Sequence, residues 1–137
     1  MALAALSLLG IVAVISAQAG VPLVVKANIP FSFVFEGSPL PAGSYSVEAH
    51  PSIQDAVQIR DSSGEVLATA LAQTVHGGSI QKGAKLVFRR YGNINVLSEI
   101  LPGEGLAGRE LAPSRVSQRM AANTGKPVIV VIAAQAR

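Results

Sequence analysis

An apolar residue occurs at every second position of residues 29–35, and the last three of these are phenylalanines. Residues two apart lie on the same face of an extended chain, so this alternation predicts a β-strand that is buried on one side. Residues 37–43 follow with two prolines and two glycines, which are typical of a tight connection. A second alternating strand is predicted at 43–50. Because Pro30 lacks an amide donor, it predicts an edge, a bulge or a bend within the first strand, residues 26–35.

The remaining chain carries similar short segments, separated by turn-forming residues at a spacing of about ten residues. Asp61-Ser62-Ser63-Gly64 and Gly92-Asn93 have the composition of hairpin turns. The segment 126–133 is a nearly continuous β-branched run, which is expected of a strand buried on both faces. The other strands are predicted at 56–60, 65–75, 84–91 and 94–101.

One segment near the C-terminus differs from the rest. Residues 113–122 have helical character, because Pro113 suits a first helical turn and Val116 and Met120 lie one turn apart. Seven to eight short strands with one short helix predict an all-β fold, either an antiparallel β-sandwich or a partly open barrel. The length of 137 residues is that of one domain, which we assign to residues 20–137.

The N-terminus has the pattern of a signal peptide. Residues 2–15 form an uninterrupted apolar run, shorter than the roughly 20 residues that span a membrane. Ala17 and Ala19 supply the small residues of a cleavage site, so we predict a signal peptide at 1–19 and an exported mature chain without a membrane span. The protein would then be periplasmic or extracellular. No Lys or Arg precedes the run, which leaves open whether the true start lies upstream of Met1, and a retained anchor or buried helix is the alternative.

Composition excludes several classes of protein. Half of the residues are hydrophobic and 14% are charged, so the chain is not of the disordered class. The absence of cysteine excludes a disulfide framework, a thiolate nucleophile and a cysteine metal site. The net charge of +3 arises from eleven scattered cations and eight acids, which does not indicate nucleic-acid binding.

No motif for catalysis or for cofactor binding is evident. The two histidines, His50 and His76, lie in predicted turns, and no G-x-S-x-G motif occurs. Residues 103–108 match G-x-G-x-x-G but lack the strand and helix of a dinucleotide site. We therefore predict no catalytic, cofactor or metal residues, and an enzyme with an unrecognised site near His50 or His76 is left open.

The most polar segment contains three arginines that are candidates for an interaction site. Arg115 and Arg119 would share one helical face, and Arg109 precedes them. They could dock on an acidic partner or on lipid phosphate. Alternatively, they pair with nearby acids and hold the helix on the sheet; these acids are Glu99, Glu104 and Glu110.

Five segments in the same order are similar to a group of small exported bacterial proteins of uncharacterised function. These segments are ANIPF at 27–31, LPAGSYSVE at 40–48, KLVFRRYG at 85–92, LSEI at 97–100 and GREL at 108–111. The resemblance implies an exported all-β domain and transfers no catalytic residue.

The function predicted from these observations is a non-enzymatic structural or interaction module of the cell envelope or exterior. Its partner would be an unidentified protein or another component of the envelope. The alternative is a homo-oligomer that assembles by strand addition, through residues 127–133 or 20–27.

Overall fold

The computed structural model describes residues 23–76 and 83–136. The predicted signal peptide, residues 1–19, lies outside this part of the chain. The described residues form ten strands, with a helix between the last two. The elements are β1 (Val24–Ile29), β2 (Phe33–Phe35), β3 (Ser38–Leu40), β4 (Gly43–Ala49), β5 (Ala56–Arg60), β6 (Val66–Val75), β7 (Ala84–Tyr91), β8 (Ile94–Leu101), β9 (Gly108–Leu111), α1 (Arg115–Thr124) and β10 (Val128–Ala136).

Eight of the strands form a closed antiparallel barrel. Their order is β8–β7–β10–β1–β4–β5–β6–β9, and β9 also pairs with β8. The all-β prediction with one short C-terminal helix is confirmed, but the sandwich and the partly open barrel are wrong. The reason is β9, a strand of four residues that follows a Gly-rich loop and shows no extended alternation. Because β9 bonds to β6 on one side and β8 on the other, the sheet closes on itself.

The first strand breaks at Pro30, as the proline predicts. β1 joins the barrel wall between β10 and β4, whereas β2 pairs in parallel with β8. β2 and β3 form a hairpin whose two turn residues, Glu36 and Gly37, have φ values of 46° and 77°, as a tight hairpin turn requires. Strand β3 was not predicted, because Pro39 argues against a strand; it is tolerated here because β3 lies at the edge of the sheet.

The alternating aromatic residues cross the barrel interior. The ring of Phe33 packs edge-on against Tyr45 of β4, with centroids 5.2 Å apart, and against Phe88 of β7, at 5.6 Å. The ring of Phe31 lies 5.0 Å from that of Phe88. An eight-stranded barrel has an interior just wide enough for side chains to fill it. The fully buried side chains include Phe33, Phe35, Phe88, Ile29, Ile59, Leu86, Leu97 and Ile100.

The last strand is not buried on both faces, so that expectation is wrong. Val128, Ile129 and Val131 are 62%, 56% and 51% exposed, while Val130 and Ile132 pack against the core. A β-branched run gives the same sequence pattern in a strand that is buried on both faces and in one whose outer face is exposed. In this barrel the outer face of β10 carries no such layer within the described residues.

The helix begins two residues later than predicted and packs lightly. Ser114 caps it by accepting a hydrogen bond from the amide of Ser117, the only buried helical residue. Val116 is half exposed. The helix ends at Thr124, and the φ of 80° at Gly125 suits a glycine after the last turn.

Candidate functional site

An open cleft of about 720 Å³ lies on the outer wall of the barrel where β1, β4 and β5 are adjacent. The turn after β5 borders it on one side, and the end of β10 borders it on the other. Polar side chains from three strands line it: Lys26, Asn28, Ser44, Ser46, Glu48 and Arg60. We call this region the polar cleft.

Strand register explains how these side chains come together. Lys26 is opposite Ser46, and Ser46 is opposite Arg60, so the three form one row on the same face. Neighbouring strands are about 4.8 Å apart, which separates the Cα atoms of Lys26 and Arg60 by about 10 Å. Glu48 and Gln58 are opposite each other in the next row.

Glu48 is held in one position by two donors. Its Oε1 atom accepts hydrogen bonds from Gln58 Nε2 and Arg60 Nε, each at 2.5 Å. Arg60 Nη1 also donates to the carbonyl of Gly64 at 2.7 Å. The bond from Arg60 is the main cause that holds the pKa of Glu48 below its ordinary value, although partial burial acts in the opposite direction. The cleft therefore contains a fixed, ionised carboxylate.

We expect the contribution of Glu48 to stability to depend on pH. Its pKa is lower in the folded than in the unfolded chain, so its contribution is present above the unfolded pKa and disappears as pH falls through the folded pKa. The free energy of unfolding of the wild type should exceed that of Glu48→Gln by up to about 1 kcal/mol at neutral pH, since the pair is partly exposed. Urea unfolding between about pH 7 and pH 3 should show this difference shrinking. A difference that stays constant would contradict the ionic role of Glu48.

Asp61 follows Arg60 and borders the polar cleft at the turn after β5. Its Oδ1 atom accepts from the hydroxyl and the amide of Ser63 and from the amide of Glu65. These bonds, led by that of the Ser63 hydroxyl, lower the pKa of Asp61. Among the described residues neither Lys26 nor Asp61 takes part in an ion pair within 4.0 Å, whereas Glu48 is paired with Arg60.

A second surface lies on the last strand. β10 pairs with β7 along Val128–Ala134 but with β1 only at Gln135 and Ala136. The edge of residues 128–134 that faces β1 has no strand partner in the described chain. On the side of β10 toward β7, Ile129 and Val131 line a cleft of about 360 Å³ with Lys85, Val87, Arg89, Ser98, Glu99 and Leu101. We call the unpaired edge and the exposed residues Val128, Ile129 and Val131 the β10 surface.

The three predicted arginines are placed on two different elements. Arg109 lies on β9 and donates from Nη1 to the hydroxyl of Thr74. Arg115 and Arg119 are exposed on α1, one turn apart. Within 23–76 and 83–136, none of the three forms an ion pair with a glutamate. Glu110 pairs instead with Arg89, at 3.7 Å. The expected pairing with Glu99, Glu104 or Glu110 is therefore wrong.

The histidines and the Gly-rich loop occupy turns. His50 Nδ1 accepts from the amides of Ser52 and Ile53 at 3.1 and 2.9 Å, while His76 is exposed after β6. Residues 103–105 all have positive φ, which makes 103–108 a tight connection. No group of three metal-ligating side chains occurs in the part of the chain that is described.

Sequence reasoning missed the residues of the polar cleft. Lys26, Glu48, Arg60 and Asp61 come from segments that only the strand register brings together. The available signal was the alternation in β4, which places Ser44, Ser46 and Glu48 on the face opposite Tyr45 and Val47, but it does not identify their neighbours.

The helix of the described chain is neither long nor apolar enough to cross a membrane. Comparison with protein-family models, with curated proteins and with solved structures finds no match to this chain.

Proposed function

We propose that the chain is exported and acts as a non-enzymatic interaction module of the cell envelope or exterior, with the β10 surface as its main contact. The observation that supports this most directly is the unpaired edge of residues 128–134. Such an edge can bind an extended segment of another protein by main-chain hydrogen bonds. Residues 128–134 contain no charge and no proline, which are the features that normally block strand addition.

Export is supported by the apolar run of residues 2–15, the small residues Ala17 and Ala19, and the resemblance to small exported bacterial proteins. The test is fractionation followed by N-terminal sequencing. A chain that begins at Gly20 in the periplasm or the medium is expected. A chain that begins at Met1 in the membrane fraction would contradict export with cleavage.

A non-enzymatic role is supported by how the structure uses its candidate groups. His50 accepts two backbone hydrogen bonds through Nδ1, so the ring stabilises a turn. The barrel interior is occupied by large buried side chains such as Phe33, Phe35 and Phe88, which agrees with a function on the outer surface.

We expect a partner to crosslink to the β10 surface. A photo-crosslinking amino acid at Ile129 should give a defined crosslinked product with envelope material, and Val131→Lys should reduce its yield about tenfold, because a charge would enter an apolar contact. Leu71 is the matched control: it is a large apolar residue with similar exposure, 63%, on β6. Equal yields at positions 129 and 71 would contradict a specific contact at β10.

Self-assembly is the second candidate, and the same surface favours it. Two copies could pack their exposed residues Val128, Ile129 and Val131 against each other about a two-fold axis, because such an interface uses the same patch on both molecules. Sedimentation velocity over a range of concentrations distinguishes the two candidates. A dimer whose fraction increases with concentration and that is lost in Val131→Lys supports self-assembly. A monomer at every concentration supports binding to a different protein.

A further inference from the structure

The strands β1 and β10 separate immediately after their short contact. Lys26 and Gln135 still pair, whereas Asn28 and Ala133, two positions further along, do not. Asn28 and Ala133 both line the polar cleft, so the cleft extends to the unpaired edge of residues 128–134. We call the opening between the two strands the β1–β10 fork.

The fork favours a single extended segment as its occupant. Residues 128–134 present main-chain N–H and C=O groups on this edge, to which an added strand can bond. Because β1 borders the same opening, a strand that already belongs to another sheet would bring its neighbouring strands against β1. An extended segment without such neighbours avoids this contact.

The side chains of an added strand would alternate between the barrel and the solvent. Val130, Ile132 and Ala134 pack against the core, so Val131 and Ala133 point outward. Cross-strand partners share a face, so the residues of the added strand opposite Val131 and Ala133 also point outward. The exposed side chain of Val131 favours an apolar partner.

Two lysines flank the position opposite Ala133. Lys26 pairs with Gln135 on the same side of β10, about 7 Å along the strand direction from that position. Lys85 is opposite Ala133 on the other side of β10, which places it two strands, or about 10 Å, from the added residue. The adjacent residues of each strand belong to the core, so both lysines point outward. Their flexible side chains allow both ammonium groups to approach a carboxylate there.

The acids around the fork do not neutralise these lysines. Within the described residues, neither lysine takes part in an ion pair within 4.0 Å. Glu48 is bonded to Arg60, and Asp61 accepts hydrogen bonds within its own turn. Glu99 lines the smaller cleft but forms no ion pair within 4.0 Å in the described chain. An acidic residue opposite Ala133 would therefore supply the negative charge that both lysines lack.

We propose that the β1–β10 fork binds an extended segment of another protein, with an acidic residue opposite Ala133 and an apolar residue opposite Val131. This inference rests on the proposed function, because it specifies the chemistry of the segment that the β10 surface binds. The main chain of the segment bonds to residues 128–134. Its carboxylate lies between Lys26 and Lys85.

The test is a titration of the ¹⁵N-labelled protein with three capped peptides: Ac-TETVTVT-NH2, Ac-TQTVTVT-NH2 and Ac-TKTVTVT-NH2. Each is also used with its sequence reversed, because an added strand can run in either direction. Amide chemical shifts should change at residues 128–134 and around Lys26. The glutamine peptide should bind about four- to ninefold more weakly than the glutamate peptide, since two exposed ion pairs of about two- to threefold each are lost. The lysine peptide should bind more weakly still.

Lysine variants assign the preference for glutamate to the two ammonium groups. Lys26→Met and Lys85→Met should each reduce the preference for glutamate over glutamine to about two- to threefold, and the double variant should abolish it. Lys126→Met is the matched control, because it removes the same charge. Lys126 is about 20 Å along the chain from Ala133, beyond the range of screened charges, so its variant should keep the full preference.

Equal binding of the glutamate and glutamine peptides at residues 128–134 would overturn the acidic preference and leave the strand addition of the proposed function intact. An absence of shifts at 128–134 with every peptide would overturn both. A preference that persists in the double lysine variant would contradict the role of the two lysines. Cosedimentation with phosphatidylglycerol vesicles, without any binding of peptide, would assign the fork to a lipid surface and overturn the proposal.

Discussion

Phe33→Ala should lower the free energy of unfolding by about 3–5 kcal/mol, the range for truncating a buried phenylalanine. Phe33 is 2% exposed and contacts aromatic rings on both β4 and β7. Its removal would leave a cavity between strands on different sides of the barrel. Urea unfolding of both proteins measures the difference. The total free energy of unfolding of a domain is typically about 5–15 kcal/mol, so the variant would lose a large share of its stability.

Phe31→Ala is the matched control for this effect. Phe31 also contacts Phe88, but it is only partly buried. Its truncation exposes less new surface and leaves a smaller cavity, so the loss should be about half as large. Equal losses in the free energy of unfolding would show that the greater burial of Phe33 does not add to its contribution to stability.

Gly103→Ala should destabilise the barrel by about 3 kcal/mol, because two costs add. Gly103 has a φ of 82°, which costs a residue with a side chain about 1–2 kcal/mol. A Cβ atom there would also lie 2.5 Å from the carbonyl oxygen of Gly83, and relief of such overpacking costs about 1–3 kcal/mol. Movement would separate the loop before β9 from the start of β7. Thermal or urea unfolding should detect the loss.

Gly105→Ala isolates the backbone part of that effect. Gly105 has a similar φ of 74°, but a Cβ atom there would meet nothing within 4 Å. The expected loss is about 1 kcal/mol. If Gly103→Ala were no worse than Gly105→Ala, the close approach to Gly83 would not matter for stability.

Local patterns predicted the strands whose pairing is also local. The hairpin turns at 61–64 and 92–93, the break at Pro30 and the strands β5, β7 and β8 all follow from residues within a few positions of one another. In these segments alternation and turn chemistry agree, so the sequence pattern and the structure coincide.

Closure of the barrel could not be predicted in the same way. It depends on Arg109 and Glu110 of β9 pairing with residues of both β6 and β8, and four residues are too few for a period to be recognised. The polar cleft could not be predicted from the sequence for a related reason. Lys26, Ser46 and Arg60 become neighbours through register across three strands, which no single segment encodes.

The short contact between β1 and β10 also has a consequence for how the chain folds. These are the first and the last described strands, and they meet only at Val25–Ala136 and Lys26–Gln135. The ring cannot be completed until β10 is available, so the rate-limiting steps involve partners far apart in sequence. Proteins dominated by such pairings fold in milliseconds to seconds. The barrel should therefore fold slowly for its size, and refolding kinetics should be more sensitive to changes in β10 than to changes in the local hairpins.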